Sequence, residues 1–183
     1  QVAPAKTIET VHRVGNPASA SPASDGKRVF VFFGSYGILC YDLDGQLLWQ
    51  KPMGPFQDEF GAGSSPILAG NRLILNQDHD TDNYLYAIDT STGKDVWKVP
   101  RNDFTRSYAT PVLWNNRGQS QILVPGATRL TAYGVETGKR IWWVDGLARI
   151  VNTIPAVNGD MLYMASWSPG GRSEEHTSEL QSQ

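Results

Sequence analysis

One phrase is written twice in this chain, 45 residues apart: "AIDTSTGKDVW" at 87–97 and "AYGVETGKRIW" at 132–142. A wider repeat surrounds it. Pro22, Pro66, Pro111 and Pro155 sit in similar settings, separated by 44, 45 and 44 residues, and Trp49, Trp97 and Trp142 close the units. A period of this length signals an array of one supersecondary unit, each copy burying a face against the next.

Two apolar runs lie between each Pro and its Trp: "RVFVFF" and "GILCYDL", "NRLILN" and "YLYAID", "SQILVP" and "RLTAYG". A fourth unit offers "MLYMAS". The runs are short, rich in β-branched and aromatic residues, and bounded by Gly, Asn or Asp, which is the strand signature. Hairpin signals join the first strand to the second at "SDGK" (24–27), "AGNR" (69–72) and "VNGD" (157–160), and the third to the fourth at "DLDGQ" and "STGK". Apolar spacing at the helical period is absent, which disfavours helical solenoids. Four antiparallel strands per unit of this length predict a β-propeller blade. The expected fold is therefore all-β, a partial propeller of about three and a half blades. Closed propellers use about four to eight blades, so a longer natural chain is expected.

The repeated phrase now has a physical reading. Gly93 and Gly138 supply the positive φ of the turn into the outer strand. The hydroxyls of Thr92 and Thr137 can satisfy turn backbone groups. Trp97 and Trp142 offer large flat surfaces for packing blade on blade. The first unit, "CYDLDGQLLW", is one residue shorter, with Gly45 and Trp49 in the turn and docking roles.

Ala–x–Asp–x–x–Thr–Gly–x–x–x–Trp resembles the tryptophan-docking motif of the pyrroloquinoline-quinone-type (PQQ-like) propellers. Residues 87–97 match through Ala87, Asp89, Thr92, Gly93 and Trp97. The second copy keeps Ala132, Thr137, Gly138 and Trp142 but has Gly134 for the Asp, and the first has Cys40 for the Ala. The resemblance covers residues 20–169 and implies an extracytoplasmic protein. The family includes quinoprotein dehydrogenases, which grip the quinone between a Trp face and a vicinal disulfide with Ca²⁺ alongside. This chain has one cysteine, so no such disulfide can form within it. The expected role is a non-catalytic binding or scaffolding propeller with no cofactor. A dehydrogenase using PQQ with Ca²⁺, and an outer-membrane assembly scaffold, are the alternatives.

Candidate chemistry gathers in loops. In "NQDHDTDN" (76–83), Asp78, Asp80 and Asp82 have the alternate spacing of a calcium loop, but the glycine expected next is Asn83. A solvated hairpin is the adopted reading, with these carboxylates as the metal candidates. His79 has no second His at ligand spacing, which disfavours zinc. The connections 56–63, 101–108 and 145–152 should share the channel mouth with that hairpin. They bring Arg106, Arg149, Asn152 and His79 forward as rim candidates for a small molecule, glycan or protein.

Net charge is −2 with scattered Lys and Arg, which argues against nucleic acid as a partner. No apolar run is long enough to span a bilayer. The chain opens on Gln1 without an initiator Met or an apolar leader core, compatible with a removed leader or a missing start. Residues 1–19 read as a lead-in or the remnant of a preceding blade, and 20–171 as blades. "RSEEHTSELQS" (172–182) resembles the translation of a common sequencing adapter. Residues 172–183 are thus expected to be an artefactual, disordered tail.

Overall fold

The computed structural model describes residues 12–166 apart from 14, 17 and 59. The expected tail at 172–183, and most of the lead-in at 1–19, lie outside the described residues.

Each unit folds into a meander of antiparallel strands. The first blade is β1 (Ala23–Ser24), β2 (Arg28–Phe32), β3 (Ile38–Asp42) and β4 (Leu47–Lys51). The second is β5 (Ile67–Ala69), β6 (Arg72–Gln77), β7 (Tyr84–Asp89) and β8 (Asp95–Pro100). The third is β9 (Val112–Asn116), β10 (Gln119–Gly126), β11 (Arg129–Gly134) and β12 (Arg140–Asp145). A two-stranded sheet, β13 (Ala156–Asn158) and β14 (Met161–Tyr163), begins a fourth. Strand order follows chain order in every sheet. One 3₁₀ turn, Gly34–Tyr36, is the only helical element among the described residues. The chain is a partial β-propeller.

The hairpins fall where glycine permits them. Gly26, Gly70 and Gly159 take positive φ between first and second strands, and Gly45, Gly93 and Gly138 between third and fourth. The third blade's first hairpin turns on Arg117 and Gly118, with φ of 49° and 79°. Its leading residue is a long cation, so the sequence gives no plain turn signal there.

Successive blades bury their faces on each other. Phe30, Phe32, Ile38 and Cys40 of the first blade pack with Leu73, Leu75, Tyr84, Tyr86 and Ile88 of the second. The alternate residues Ile74, Leu85 and Ala87 turn the other way, onto Ile122, Val124 and Tyr133 of the third. The middle blade is thus covered on both sides, and five of the six residues of β6 are buried. Trp114, Leu123, Leu130 and Ala132 pack with Val157 and Leu162 of the fourth sheet. Among the described residues no helix is long and apolar enough to cross a membrane.

Candidate functional site

The connections between blades and the hairpins between second and third strands interlock at one end of the arc, here called the mouth. The amide of Asp80 donates to the Gln57 carbonyl at 2.9 Å, that of Ser107 to Asp78 at 3.1 Å, and that of Thr128 to Ala148 at 2.9 Å. The hairpins of the second and third blades are therefore tied by backbone bonds to a connection, and that of the first by the Phe56 amide donating to Ser35 Oγ at 2.8 Å.

Asp78 is not at a solvated hairpin tip. Its side chain and that of Arg101 are both fully buried. Arg101 Nε donates to Asp78 Oδ1 at 2.8 Å and Nη2 to Oδ2 at 2.7 Å, and Nη1 donates to the Tyr133 hydroxyl. Burial opposes the Arg101 charge, but Asp78 and Tyr133 outweigh it and hold the guanidinium more firmly protonated than usual. The Phe104 ring lies 4.1 Å from the guanidinium carbon. A Cβ at Gly126 would fall 2.7 Å from Arg101 Nη2 and 2.5 Å from the Phe104 ring, so the third blade needs glycine where this pair passes. The reason for the burial is the 101–108 connection, which folds over the end of β6.

The other metal candidates diverge. Asp80 meets Arg106 in a two-point pair, Nε to Oδ1 and Nη2 to Oδ2, the latter at 2.9 Å. Asp82 is exposed in a left-handed conformation, φ 55°. Among the described residues no group of three or more His, Cys, Asp or Glu side chains is placed to hold a metal ion.

His79 is only 5% exposed, so it lies beneath the rim rather than on it. Its ring sits 4.7 Å from that of Phe56 and 6.2 Å from that of Tyr84. Burial pushes its pKa down, against the field of Asp58, and neither ring nitrogen has a hydrogen-bond partner. Asp58, absent from the sequence-derived candidates, is a further carboxyl at the mouth. Burial raises its pKa despite donors at the Phe60 amide and the Tyr108 hydroxyl, which lies 2.8 Å from Oδ1. Asn152 and Arg149 are exposed. Asn152 follows Val151, whose carbonyl accepts from the Tyr108 amide at 2.8 Å. Arg149 lies in the same connection, next to Ala148, whose carbonyl accepts from the Thr128 amide of the 127–128 hairpin at 2.9 Å.

The motif residues meet across blades. Trp49 Nε1 donates to the Thr90 carbonyl at 3.1 Å, and Trp97 Nε1 to that of Val135 at 3.0 Å. The rings lie over Gly93 and Gly138 of the following blade. Asp89 Oδ1 accepts from the Ser91 and Thr92 amides and, at 2.8 Å, from the Thr92 hydroxyl. The Thr92 hydroxyl bond is the chief cause of a lowered Asp89 pKa. Thr137 Oγ1 accepts from the Lys139 amide at 3.2 Å. Trp142 differs: its indole donates to Gln121 Oε1 of its own blade at 2.8 Å and stands edge-on to Trp114. The sequence reading missed Arg28, which reaches the next blade's Thr90 carbonyl at 2.6 Å, and Arg72, which pairs with Glu136. Their separation, 44 residues, was the available signal.

Antiparallel blades whose outer-strand tryptophans cap the next blade's turn define a PQQ-like propeller repeat. A family model described as "Outer membrane protein assembly factor BamB" matches residues 5–142 and again 81–180, and the chain belongs to that family. It is 26% identical to the polyvinylalcohol dehydrogenase of Sphingopyxis sp. (strain 113P3), over 82% of this chain and 28% of the enzyme. Among solved structures it resembles BamB from Moraxella catarrhalis, with TM-score 0.64 and 18% identity, covering 79% of this chain and 46% of that one. It also resembles the quinohemoprotein alcohol dehydrogenase of Comamonas testosteroni, with TM-score 0.52 and 21% identity, covering 72% and 22%. The chain thus spans about a quarter to a half of these relatives' lengths.

Among the described residues, the docking tryptophans and two of the three candidate carboxylates have partners of their own. One face of Trp49 packs on Gly93 and one face of Trp97 on Gly138, so each is committed to the neighbouring blade. Asp78 and Asp80 are engaged by arginines.

Proposed function

We propose that this chain belongs to a non-catalytic binding or scaffolding propeller working outside the cytoplasm. Its tryptophans dock blade to blade, and a small molecule, glycan or protein meets the mouth. The observation that carries the reading is the commitment of the mouth carboxylates: Asp78 to Arg101, Asp80 to Arg106, Asp58 to Tyr108. Groups held in internal pairs stiffen a surface and are poorly available as metal ligands. Arg149 and Asn152 stay exposed for a partner. The family description supports one form of this role, a scaffold in outer-membrane protein assembly. The relative named a dehydrogenase supports the rival reading, in which redox residues lie beyond this chain.

Equilibrium dialysis of the full-length protein against PQQ with Ca²⁺ tests the proposal. The expected result is no retained quinone. Stoichiometric, Ca²⁺-dependent retention by the full-length protein overturns it in favour of the dehydrogenase. A mouth ligand, once captured from a panel of acidic glycans and peptides, should bind more weakly to Arg149→Ala.

A further inference from the structure

The 78–83 hairpin is held unequally on its two sides. Toward the 101–108 connection it carries the enclosed Asp78–Arg101 pair, and the amides of Ser107 and Arg101 donate to the carbonyls of Asp78 and Asn83 at 3.1 and 2.7 Å. The Asn83 side-chain amide adds a bond to the Phe104 carbonyl. Toward the 56–63 connection one backbone bond is made among the described residues, from the Asp80 amide to the Gln57 carbonyl at 2.9 Å. A ring makes the neighbouring contact: His79 lies against Phe56, whose own amide is anchored to Ser35 Oγ.

The His79 ring is suited to that place only while it is neutral. An imidazolium has two N–H donors, and a buried donor needs an acceptor. Neither ring nitrogen has one, and the adjoining cavity of about 10 Å³ has room for about one water. The ionisable groups facing the ring are Asp58 from the connection, Asp78 and Asp80 from the hairpin, and Tyr84 from β7. The three carboxylates already have partners in Tyr108, Arg101 and Arg106.

We infer that His79 is an acid-released clasp: on taking up a proton its ring leaves Phe56, the Asp80–Gln57 bond opens, and the hairpin parts from the 56–63 connection while staying fixed to 101–108. The imidazolium so formed takes its acceptors from water. Burial holds the ring's pKa in the closed form below the ordinary 6.5, so a proton is taken up more readily by the open form and acid favours opening. Asp58 works the other way, because its pKa is raised in the closed form. The device is a local opening rather than a loss of the fold.

Amide hydrogen exchange on the full chain, followed by NMR at about pH 7.5 and about pH 5.5, tests the clasp. The protection factor of the Asp80 amide, already corrected for the intrinsic effect of pH, should fall about three- to tenfold, the upper figure being what one proton bound only by the open form gives. The Gly138 amide, bonded to the Gly134 carbonyl in the third blade, should keep its protection. In His79→Phe, which leaves a ring on Phe56 but takes no proton, the fall at Asp80 should vanish. In Asp58→Asn it should persist. Unchanged protection of Asp80 overturns the inference, as does an equal fall at Gly138. So does a fall that survives in His79→Phe or disappears in Asp58→Asn. If His79→Phe does not fold, the parent decides: the His79 Cε1 proton shift must move together with the loss of Asp80 protection, and a ring that titrates while Asp80 stays protected overturns the clasp.

Discussion

The indole of Trp97 lies directly on Gly138 of the following blade: a Cβ there would come within 2.6 Å of Cε3. Gly138 also has φ of 66°, so it is constrained twice. Gly138→Ala should cost about 3 kcal/mol, part from the left-handed backbone and part from displacing the ring. Gly45 occupies the equivalent turn at φ 81° with nothing within 4 Å of a Cβ. Gly45→Ala should cost only about 1–2 kcal/mol. Urea melts of the two variants give the comparison, and equal losses would remove the packing contribution.

The two adjacent tryptophans of β12 differ from Trp97 in their surroundings. Trp97 is half-buried, not fully enclosed, which lowers the expected cost of Trp97→Ala to about 2–3 kcal/mol, below the usual range for a core Trp. Trp143, 49% exposed with Arg129 and Arg140 about its ring, should lose less than about 1 kcal/mol on truncation. Chemical denaturation followed by circular dichroism distinguishes them.

Breaking the enclosed ion pair should be costly. Asp78→Ala strands the Arg101 guanidinium in a dry site and should cost about 3–5 kcal/mol. Asp78→Leu combined with Arg101→Met should cost clearly less than the two single changes together, because no charge is left uncompensated. A double-mutant cycle with additive losses would mean that the pair is not coupled.

Acid should weaken the mouth through His79. Its folded pKa lies below the ordinary 6.5, so between those values the unfolded chain binds more protons and stability falls as pH drops. Asp58 acts oppositely: its folded pKa lies above the ordinary 3.8, so its contribution rises as pH falls through that folded value. The groups facing His79 are Asp58, Asp78 and Asp80, with the rings of Phe56 and Tyr84. Urea midpoints measured at about pH 7.5 and about pH 5.5 should differ less in His79→Phe than in the parent. In Asp58→Asn the acid loss should be the same or larger.

The architecture was legible because the turns repeat. Glycines with positive φ and a tryptophan four residues beyond announce each outer hairpin in one dimension. The turn at Arg117 escaped because its strained residue is not a turn former by type. The mouth was legible only in outline. Loops 56–63, 101–108 and 145–152 do share an end with the 78–83 hairpin, since strand alternation forces it. Nothing local marks Arg101, a lone cation after "VWKVP", as the partner of an aspartate 23 residues earlier. The pairing exists only once a connection folds across a strand end. His79 misleads for the same reason: its loop reads as polar, while Phe56, from the preceding connection, shuts it in.

The reach of each indole runs one way along the chain, and protein synthesis runs the same way. Trp49 leaves the ribosome 44 residues before Gly93, and Trp97 leaves 41 residues before Gly138. At roughly 5–20 residues per second, each ring waits a few seconds for its cover. During that interval the newest finished blade presents a bare aromatic face, so this repeat is made with one adhesive surface always showing. Synthesis passes that surface from blade to blade and keeps the blades behind it closed.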